Sequence, residues 1–309
     1  MSHLQALIDA VGLGAVYALI AVGIGLVFGV LRLVNFAYGQ LIMIAAYMLV
    51  FTGGWGDAAS ILIAFAAAVF AALAMERIAF RPLRSTSPAT MLVATFAISY
   101  LLQNVALLRY TYHNRPVGDS VGTLAGLNRI VELGSLHIRW ITFVAIGAGL
   151  VALGGLTLLL NRTTLGLQMR AAAADFQTAR VLGVRADTVI MAAVGISGVL
   201  AAAAAVILSV ENQQITYTTG LNDTIFVLVG VVVGGMNRLL SATLGGFLIG
   251  FAISFAGAEL PNQGASQSST PFTTNVYLPS VVYVLVIVVL LLRPAGLFAR
   301  RGQAAVERV

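Results

Sequence analysis

The sequence predicts an all-α integral membrane protein, a polytopic helical bundle with eight or nine membrane segments. The chain has 309 residues, of which only 9% are charged, whereas soluble domains carry about 25%. Its mean hydropathy is +0.98. Several runs exceed the roughly 20 apolar residues that span a bilayer of about 30 Å, and the alternating segments of outer-membrane barrels are absent. We expect one transmembrane domain over residues 1–309.

Polar or glycine-rich interruptions divide the chain into segments. The predicted full spans, in order, are 6–31, 36–52, 58–80, 89–108, 140–160, 188–208, 239–257 and 277–292. Residues 224–236 form a shorter apolar run, which as a helix reaches only about 20 Å. We therefore expect a broken or re-entrant helix near 224–240, with unwound backbone at 234–238 that is buried in protein or lines a cavity.

The residue types that are missing exclude several kinds of chemistry. All 17 basic residues are arginine, so the chain has no P-loop lysine and no Schiff-base lysine. It has no cysteine and only three scattered histidines, so we expect no metal site, no thiol nucleophile and no cofactor. The pI near 10.1 is explained by arginines that fix membrane topology rather than by nucleic-acid binding.

The arginine clusters orient the predicted bundle. Clusters within 77–84, 162–185 and 293–308 should all be cytoplasmic, because cytoplasmic loops are enriched in basic residues. The polar stretches 109–139, 211–223 and 259–276 then face outward, and the C-terminus is cytoplasmic. Extrapolation places the N-terminus outside, and no cleavable signal peptide is evident.

Residues 162–187 are the longest polar interruption that still has the pattern of one continuous helix, which is predicted to be amphipathic. Arg170, Gln177 and Thr178 lie on its polar side. The segment is too polar to cross the bilayer, so we expect it along the membrane face, with one side offered to a partner. On spacing alone, a plain connector held to the bilayer by its arginines is an equal alternative. The apolar stripe consists of Leu165, Met169, Ala172, Phe176, Ala179 and Gly183.

Three motifs together resemble the membrane permease subunits of ABC importers for branched-chain amino acids. They are GAVYALIAVGIGLVFGVLRLVNFAYGQLIMIAAYM (14–48), LGLQMRAAAADFQTARVLGV (165–184) and RPAGLF (293–298). Their order and spacing match over nearly the whole chain. The family implies a bacterial inner-membrane permease that pairs with a second, homologous or identical permease and with two cytoplasmic ATPases. A periplasmic or tethered solute-binding protein delivers the substrate.

Under this resemblance, residues 164–184 are the ATPase-coupling helix, with the family pattern R-A-x3-D-x3-A-x3-G. An ATPase without membrane segments can move a permease only through a rigid cytoplasmic protrusion that docks in its surface. Small residues allow a close contact, and an arginine and an aspartate fix its register. The residues expected in this role are Gly166, Arg170, Ala171, Asp175, Ala179 and Gly183.

Two polar interruptions are candidates for the translocation pathway. Asn35, Gly39 and Gln40 match a family motif close to N-F-A-x-G-E, but Gln40 is neutral where an acidic residue is common. Gly234 and Gly235 lie where the family reads G-G-x-G-S, and free N–H groups there could meet a substrate carboxylate. Glycine and asparagine recur at both interruptions, which suggests a weak internal repeat. Helix capping and packing are the alternative for each site.

Polar groups inside or beside other segments have simpler explanations. Gln103 and Asn104 are costly in hydrocarbon and should face the bundle interior, where they line the pathway or form interhelical hydrogen bonds. The carboxylates are expected at segment ends, where charge costs little, and not as a proton relay. They are Glu76, Glu211, Asp223 and Glu259.

The sequence therefore predicts a transport subunit that performs no covalent chemistry and hydrolyses no ATP itself. Its expected solutes are branched-chain or other hydrophobic amino acids. Gln40 and Arg238 depart from the family pattern and leave open a related importer for urea, short amides or other small organic solutes. A secondary transporter driven by an ion gradient is a further alternative, which would require carboxylates in the middle of its spans.

Overall fold

The computed structural model of the chain describes most of the bundle and parts of its loops. Parts of the predicted features lie outside the described residues. They are Arg84, Asn237, Arg300, Arg301, Arg308 and residues 260–276 of the predicted loop 259–276. The described residues are 3–31, 34–83, 86–109, 114–116, 126, 129–133, 136–212, 214–236, 238–259, 283–284, 286–289, 291–293 and 296–298.

Helices make up nearly all of the described structure, as predicted. A 3₁₀ turn (Gly53–Trp55) precedes α3, and a π-helical turn (Glu76–Phe80) joins α3 to α4. The helices are α1 (His3–Leu31), α2 (Tyr38–Phe51), α3 (Asp57–Met75), α4 (Arg81–Leu83), α5 (Pro88–Arg109), α6 (Trp140–Arg162), α7 (Thr164–Ala174), α8 (Phe176–Val181), α9 (Ala186–Asn212), α10 (Leu221–Gly234) and α11 (Leu239–Glu259).

Two short antiparallel ladders accompany the helices. Strands β1 (Asn114–Pro116) and β4 (Gln214–Thr216) pair, and β2 (Ile130–Leu133) pairs with β3 (Leu136–Arg139). The ladders occupy two of the polar stretches that were predicted as loops, and each strand has only three or four residues.

Six helices in the described part of the chain are long and apolar enough to cross a membrane. The predicted number of eight or nine segments is therefore not confirmed. Two further apolar helices, α2 and α10, have 14 residues each, so each rises only about 21 Å. The last predicted span, 277–292, is helical at the residues that are described.

Helix α1 is the centre of the bundle. Of its most apolar stretch, 83% is buried, against 17% for α6. Helix α11 lies against it at glycines: a Cβ at Gly246 would lie 2.9 Å from the carbonyl oxygen of Tyr17, and one at Gly250 would lie 2.8 Å from that of Leu13. Small residues permit this approach, which is the usual basis of helix association in membranes.

The two ends of the bundle differ in charge. At the N-terminal end, where α1 begins, Gln5 exchanges two hydrogen bonds with the backbone of His137 (2.8 and 3.0 Å), and Arg139 pairs with Glu211 at 3.4 Å. At the opposite end, called here the arginine-rich end, Arg81 pairs with Asp187 at 2.9 Å. That end also carries Arg162, Arg170, Arg180, Arg185 and Arg238.

The prediction of one continuous helix over 162–187 is wrong, because the sequence contains three local stop signals. Helix α6 ends at Arg162, and the Thr163 hydroxyl then caps α7 by accepting the Gly166 N–H at 3.0 Å. Asp175 is extended (φ −152°, ψ 111°) and accepts the Thr178 N–H at 3.2 Å, as an N-cap aspartate does.

The third signal is Gly183, which has a φ of 89°. Its N–H bonds to the Arg180 carbonyl at 3.1 Å, and the Val184 N–H bonds to the Ala179 carbonyl at 3.0 Å. This is the glycine-terminated Schellman arrangement of a helix end. The 164–184 segment is consequently a helix, a capped break and one short second helix.

Candidate functional site

The short helices α2 and α10 begin at the same place. A Cβ added at Gly39 would lie 2.6 Å from the Gly220 carbonyl oxygen, and one at Gly220 would lie 2.7 Å from the Gly39 carbonyl oxygen. Gly220 also has a φ of 80°, which glycine adopts without strain. Glycine at both positions therefore lets the first turns of α2 and α10 touch through their backbones. We call this contact the junction.

The junction lies about half way along α1. The Tyr17 hydroxyl, from the middle of the 29-residue α1, donates a hydrogen bond to Asp223 Oδ1 at 3.1 Å. Asp223 is in the first turn of α10. Helix α10 then runs to the arginine-rich end, where Leu239, just beyond it, approaches Gly25 of α1.

Helix α2 runs the other way, to the N-terminal end. The chain then turns into α3. The Ser60 hydroxyl in the first turn of α3 donates a hydrogen bond at 2.6 Å to the carbonyl of Thr52, the residue after α2. The far end of α3 continues to Arg81 at the arginine-rich end. The two short helices thus meet N-terminus to N-terminus inside the bundle. Helix N-termini carry partial positive charge and unpaired N–H groups, and transporters use such ends to bind anionic groups.

The 35–40 motif builds one side of the junction. Asn35 is buried and its Oδ1 accepts the Ala37 N–H at 2.9 Å, which shapes the unwound backbone before α2. Gln40 is fully buried and donates from Nε2 to the Ser99 hydroxyl at 3.0 Å. Of the three predicted pathway residues in this motif, Gly39 touches α10 directly and Gln40 lies one residue further along the same turn.

Three buried polar atoms near the starts of the short helices have no hydrogen-bond partner among the described residues. They are Tyr38 Oη, Gln40 Oε1 and Thr224 Oγ1. Buried polar groups are normally hydrogen-bonded, so these three atoms are exceptions to the usual pattern.

Gly234 and Gly235 do not lie at the junction but at the other end of α10. A Cβ at Gly234 would overlap the Ser241 carbonyl oxygen, so this glycine is a packing position. Gly235 has a φ of 108° and its N–H bonds to the Val231 carbonyl at 3.0 Å, so that N–H is not free for a ligand. The unwound backbone predicted here is confirmed as a turn between α10 and α11. The 35–40 motif instead meets Gly220, and the weak internal repeat stays a prediction.

The terminal RPAGLF motif closes the end of α10. The Leu297 N–H donates to the Val233 carbonyl at 2.7 Å, and the Phe298 N–H donates to the Gly234 carbonyl at 3.4 Å. Gly296 has a φ of 94°, and a Cβ added to it would lie 3.0 Å from the Cα and N atoms of Gly235. The motif thus satisfies carbonyls that the helix end leaves unpaired.

Gln103 and Asn104 lie on α5, away from the described contacts of the junction. Both are half-buried, and Asn104 Nδ2 donates to the Tyr100 carbonyl at 2.8 Å within its own helix. The predicted pathway role of both residues stays a prediction.

The 164–184 segment seats against α6 with its apolar stripe inward. Met169, Ala172 and Ala179 are buried, as expected for the apolar stripe. Gly183, which was predicted to belong to the same stripe, is exposed. At Gly166 a Cβ would overlap the Leu159 carbonyl oxygen, which requires glycine there. The side chains of Phe176 and Gln177 lie outside the described residues.

The polar face of this segment is open. Arg170, Asp175 and Thr178 are exposed, and Arg170 Nη1 donates to Asn161 Oδ1 at 3.3 Å. Behind Arg170 is a cavity of about 780 Å³, which is lined by residues of α7, of the ends of α1 and α6, and of the turn at 236–240.

Sequence reasoning missed Tyr17 and Asp223 as site residues and misplaced Glu76. Asp223 was assigned to a segment end, but its helix begins inside the bundle. The signal was present, since a glycine followed by an acidic residue in the next turn is typical of a helix start. Glu76 was also expected at a segment end where its charge is solvated, but it is buried, with 1% exposure.

A multi-pass bundle in which two half-length helices meet at mid-depth is the architecture of a membrane transport protein. The chain belongs to the family of permease components of branched-chain amino acid transport systems, whose model matches residues 6–292.

Its relatives cover it almost end to end. It is 30% identical over 323 residues to the high-affinity branched-chain amino acid transport system permease protein BraD of Pseudomonas aeruginosa, covering 99% of this chain and 98% of BraD. It is 29% identical over 335 residues to the corresponding permease LivH of Escherichia coli, covering 99% and 97%. A probable LivH of Methanocaldococcus jannaschii is 26% identical over 284 residues, covering 90% and 87%.

Proposed function

We propose that this chain is the permease subunit of an ATP-driven ABC importer that translocates branched-chain or other hydrophobic amino acids. The observation that carries the proposal is the family match over nearly the whole chain, with relatives named for branched-chain amino acids. These names do not favour the alternative of urea or short amides.

The complex we propose contains two cytoplasmic ATPase subunits, a second permease and a solute-binding protein. It lies in the bacterial inner membrane, with the arginine-rich end and the C-terminus in the cytoplasm. The positive-inside rule supports this orientation, because the described arginines concentrate at that end. The chain itself contributes no ATP hydrolysis.

The junction fits the passage of a zwitterion. The two helix N-termini favour a carboxylate. Asp223, which already accepts a hydrogen bond from the Tyr17 hydroxyl, can accept another from an ammonium group. Asn35, Gly39 and Gln40 form the wall from α2. Asp223 thus supplies the negative charge that the neutral Gln40 lacks. Gln103, Asn104, Gly234 and Gly235 remain predicted pathway residues of lower rank.

Energy is proposed to enter through the 164–184 segment, at Gly166, Arg170, Ala171, Asp175, Ala179 and Gly183. Its buried stripe fixes it to the bundle, and its exposed face presents Arg170 and Asp175. Because Asp175 caps α8, it also sets the angle between the two helices that an ATPase would contact.

A matched pair of substitutions tests this coupling. Asp175→Asn keeps a good N-cap, whereas Asp175→Ala removes the cap at a cost of about 1 kcal/mol. In liposomes containing both permeases, the ATPases and the binding protein, we expect D175A to lower leucine uptake per ATP hydrolysed and D175N to stay near wild type. Equal ratios for wild type and D175A would refute the coupling proposal.

The same liposomes test the transport mode and the solute. We expect uptake of leucine, isoleucine and valine that requires ATP and the binding protein, and no uptake of urea. Uptake that follows an ion gradient without ATP would instead support a secondary transporter, for which a half-buried carboxylate such as Asp223 would serve.

A further inference from the structure

The cavity of about 780 Å³ at the arginine-rich end has the dimensions of a small-molecule site. Ligand pockets have volumes of roughly 300–1,000 Å³, mostly apolar walls and a few polar groups. Here the wall comes from the end of α1, the end of α6, α7 and the start of α11. The cavity therefore lies directly between the 164–184 segment and the turn that follows α10.

The charged groups of the cavity are both cationic. Arg170 and Arg238 line it, and no carboxylate belongs to its described wall. Among the described residues neither arginine forms an ion pair, and the hydrogen bond of Arg170 goes to the neutral Asn161. A guanidinium group binds carboxylates through two parallel hydrogen bonds. Both arginines are exposed, so an anion that enters the cavity can pair with them.

The remaining wall is aliphatic. Leu26, Val30, Met169 and Met236 are among its residues. A ligand that satisfies both parts of the cavity has one anionic group and a hydrocarbon chain. An amino acid satisfies them less well, because its ammonium group meets no carboxylate in the described wall.

We propose that this cavity binds an aliphatic carboxylate, with its carboxylate between Arg170 and Arg238 and its chain along α1 and α11. The site differs from the junction and adds a ligand to the side of the permease that faces the 164–184 segment. The proposal does not depend on the import function.

Gly29 offers a way to close the cavity without changing its charge. It lines the cavity, and a Cβ at this position meets no atom within 4 Å. A leucine there would project into the open space. Glycine in a helix interior costs about 1 kcal/mol relative to alanine, so Gly29→Leu should not weaken α1 itself.

Calorimetric titration of the full-length chain in neutral phosphatidylcholine nanodiscs tests the proposal, with empty nanodiscs subtracted. We expect saturable binding of octanoate and at least about tenfold weaker binding of octanamide and of leucine, since hydrogen bonds to charged groups are the strong ones. Each methylene removed from octanoate should weaken binding by roughly fourfold.

Three variants locate the site. Arg238→Gln and Gly29→Leu should each weaken octanoate binding by about tenfold or more. Arg185→Gln, which removes an exposed arginine of the same end that does not line the cavity, should leave it unchanged. If Arg238→Gln does not fold, Gly29→Leu carries the test alone, because it leaves both arginines in place.

Several results would overturn the assignment. One is equal binding of octanoate and octanamide, and another is an equal loss in Arg185→Gln. Leucine binding at least as tight as octanoate would make the cavity part of the translocation pathway. A co-purifying anionic phospholipid that octanoate does not displace would assign it to a lipid headgroup. No ATPase is present, so these results are independent of whether the complex imports amino acids.

Discussion

The half-length helices α2 and α10 start together and end differently. Helix α2 is closed by its own sequence, since both the N–H and the hydroxyl of Thr52 bond to the Met48 carbonyl, at 3.1 and 2.8 Å. Helix α10 is closed by Leu297 and Phe298, which come from the far end of the chain. The closure of the α10 end therefore depends on a tertiary contact, and that of the α2 end on a local one.

This difference indicates which of the two short helices can respond to a movement of the 164–184 segment. The closed end of α10 lies beside the cavity that Arg170 and Arg238 share, whereas α2 ends at the opposite end of the bundle. A displacement of the 164–184 segment would reach α10 first. We expect α10 to move relative to α2 during transport, with the junction opening and closing between them.

The largest effect is expected when the shared start of the two helices is broken. Gly220→Ala places a side chain in the left-handed region and 2.7 Å from the Gly39 carbonyl oxygen, so it should cost roughly 2–5 kcal/mol. Thermal unfolding in detergent measures this. Gly54→Ala, where a Cβ meets nothing within 4 Å, is the control. Equal melting points would show that the junction is not a close contact.

A smaller and more selective effect is expected at the α10 side of the junction. Tyr17→Phe removes the hydrogen bond to Asp223 and should destabilise the protein by about 1–3 kcal/mol, because a half-buried carboxylate loses the hydroxyl that donates to it. Asp223→Asn keeps an acceptor, so its melting point should change less, but leucine uptake should fall by about tenfold or more if Asp223 binds the ammonium group. Wild-type uptake by Asp223→Asn would remove that role.

The smallest effect is expected where α10 is closed. Leu297→Pro removes the N–H that bonds at 2.7 Å, and Phe298→Pro removes the one that bonds at 3.4 Å. We expect a loss of about 0.5–1.5 kcal/mol for the first and less for the second, because the longer bond is weaker. Melting points of both variants check this order. The reverse order would mean that the motif does not act as a cap.

The spans were predictable from sequence because hydropathy over about 20 residues is a strong local signal. The predicted spans 89–108 and 140–160 agree with α5 and α6 to within two residues at each end. The prediction of a single helix over 162–187 was wrong because periodicity does not register a local capping side chain. Its amphipathic periodicity continues through Asp175, but the aspartate side chain competes locally for the backbone and caps a new helix.

The junction was only half predictable. The 35–40 motif was identified by its polar residues, but no contact partner was predicted for it. The partner, Gly220, lies within the polar stretch 211–223, which was predicted as an ordinary external loop. A contact between Gly39 and Gly220 depends on how deep that stretch enters the bundle, which hydropathy does not encode.

If the start of α10 lines the path of the amino acid, a single cysteine placed there should be accessible from the aqueous side. The chain contains no cysteine, so Asn222→Cys, at an exposed position of the first turn, would be the only thiol of this subunit. Val151→Cys on α6, with 73% exposure on the bundle surface, is the control.

In the assembled complex, cysteine-free in its other subunits, a membrane-impermeant thiol reagent is added from the side of the binding protein. We expect that the thiol at position 222 reacts, that leucine with the binding protein slows the reaction, and that the control at position 151 does not react. An unreactive thiol at 222, or a reaction rate that leucine does not change, would contradict a pathway at the junction.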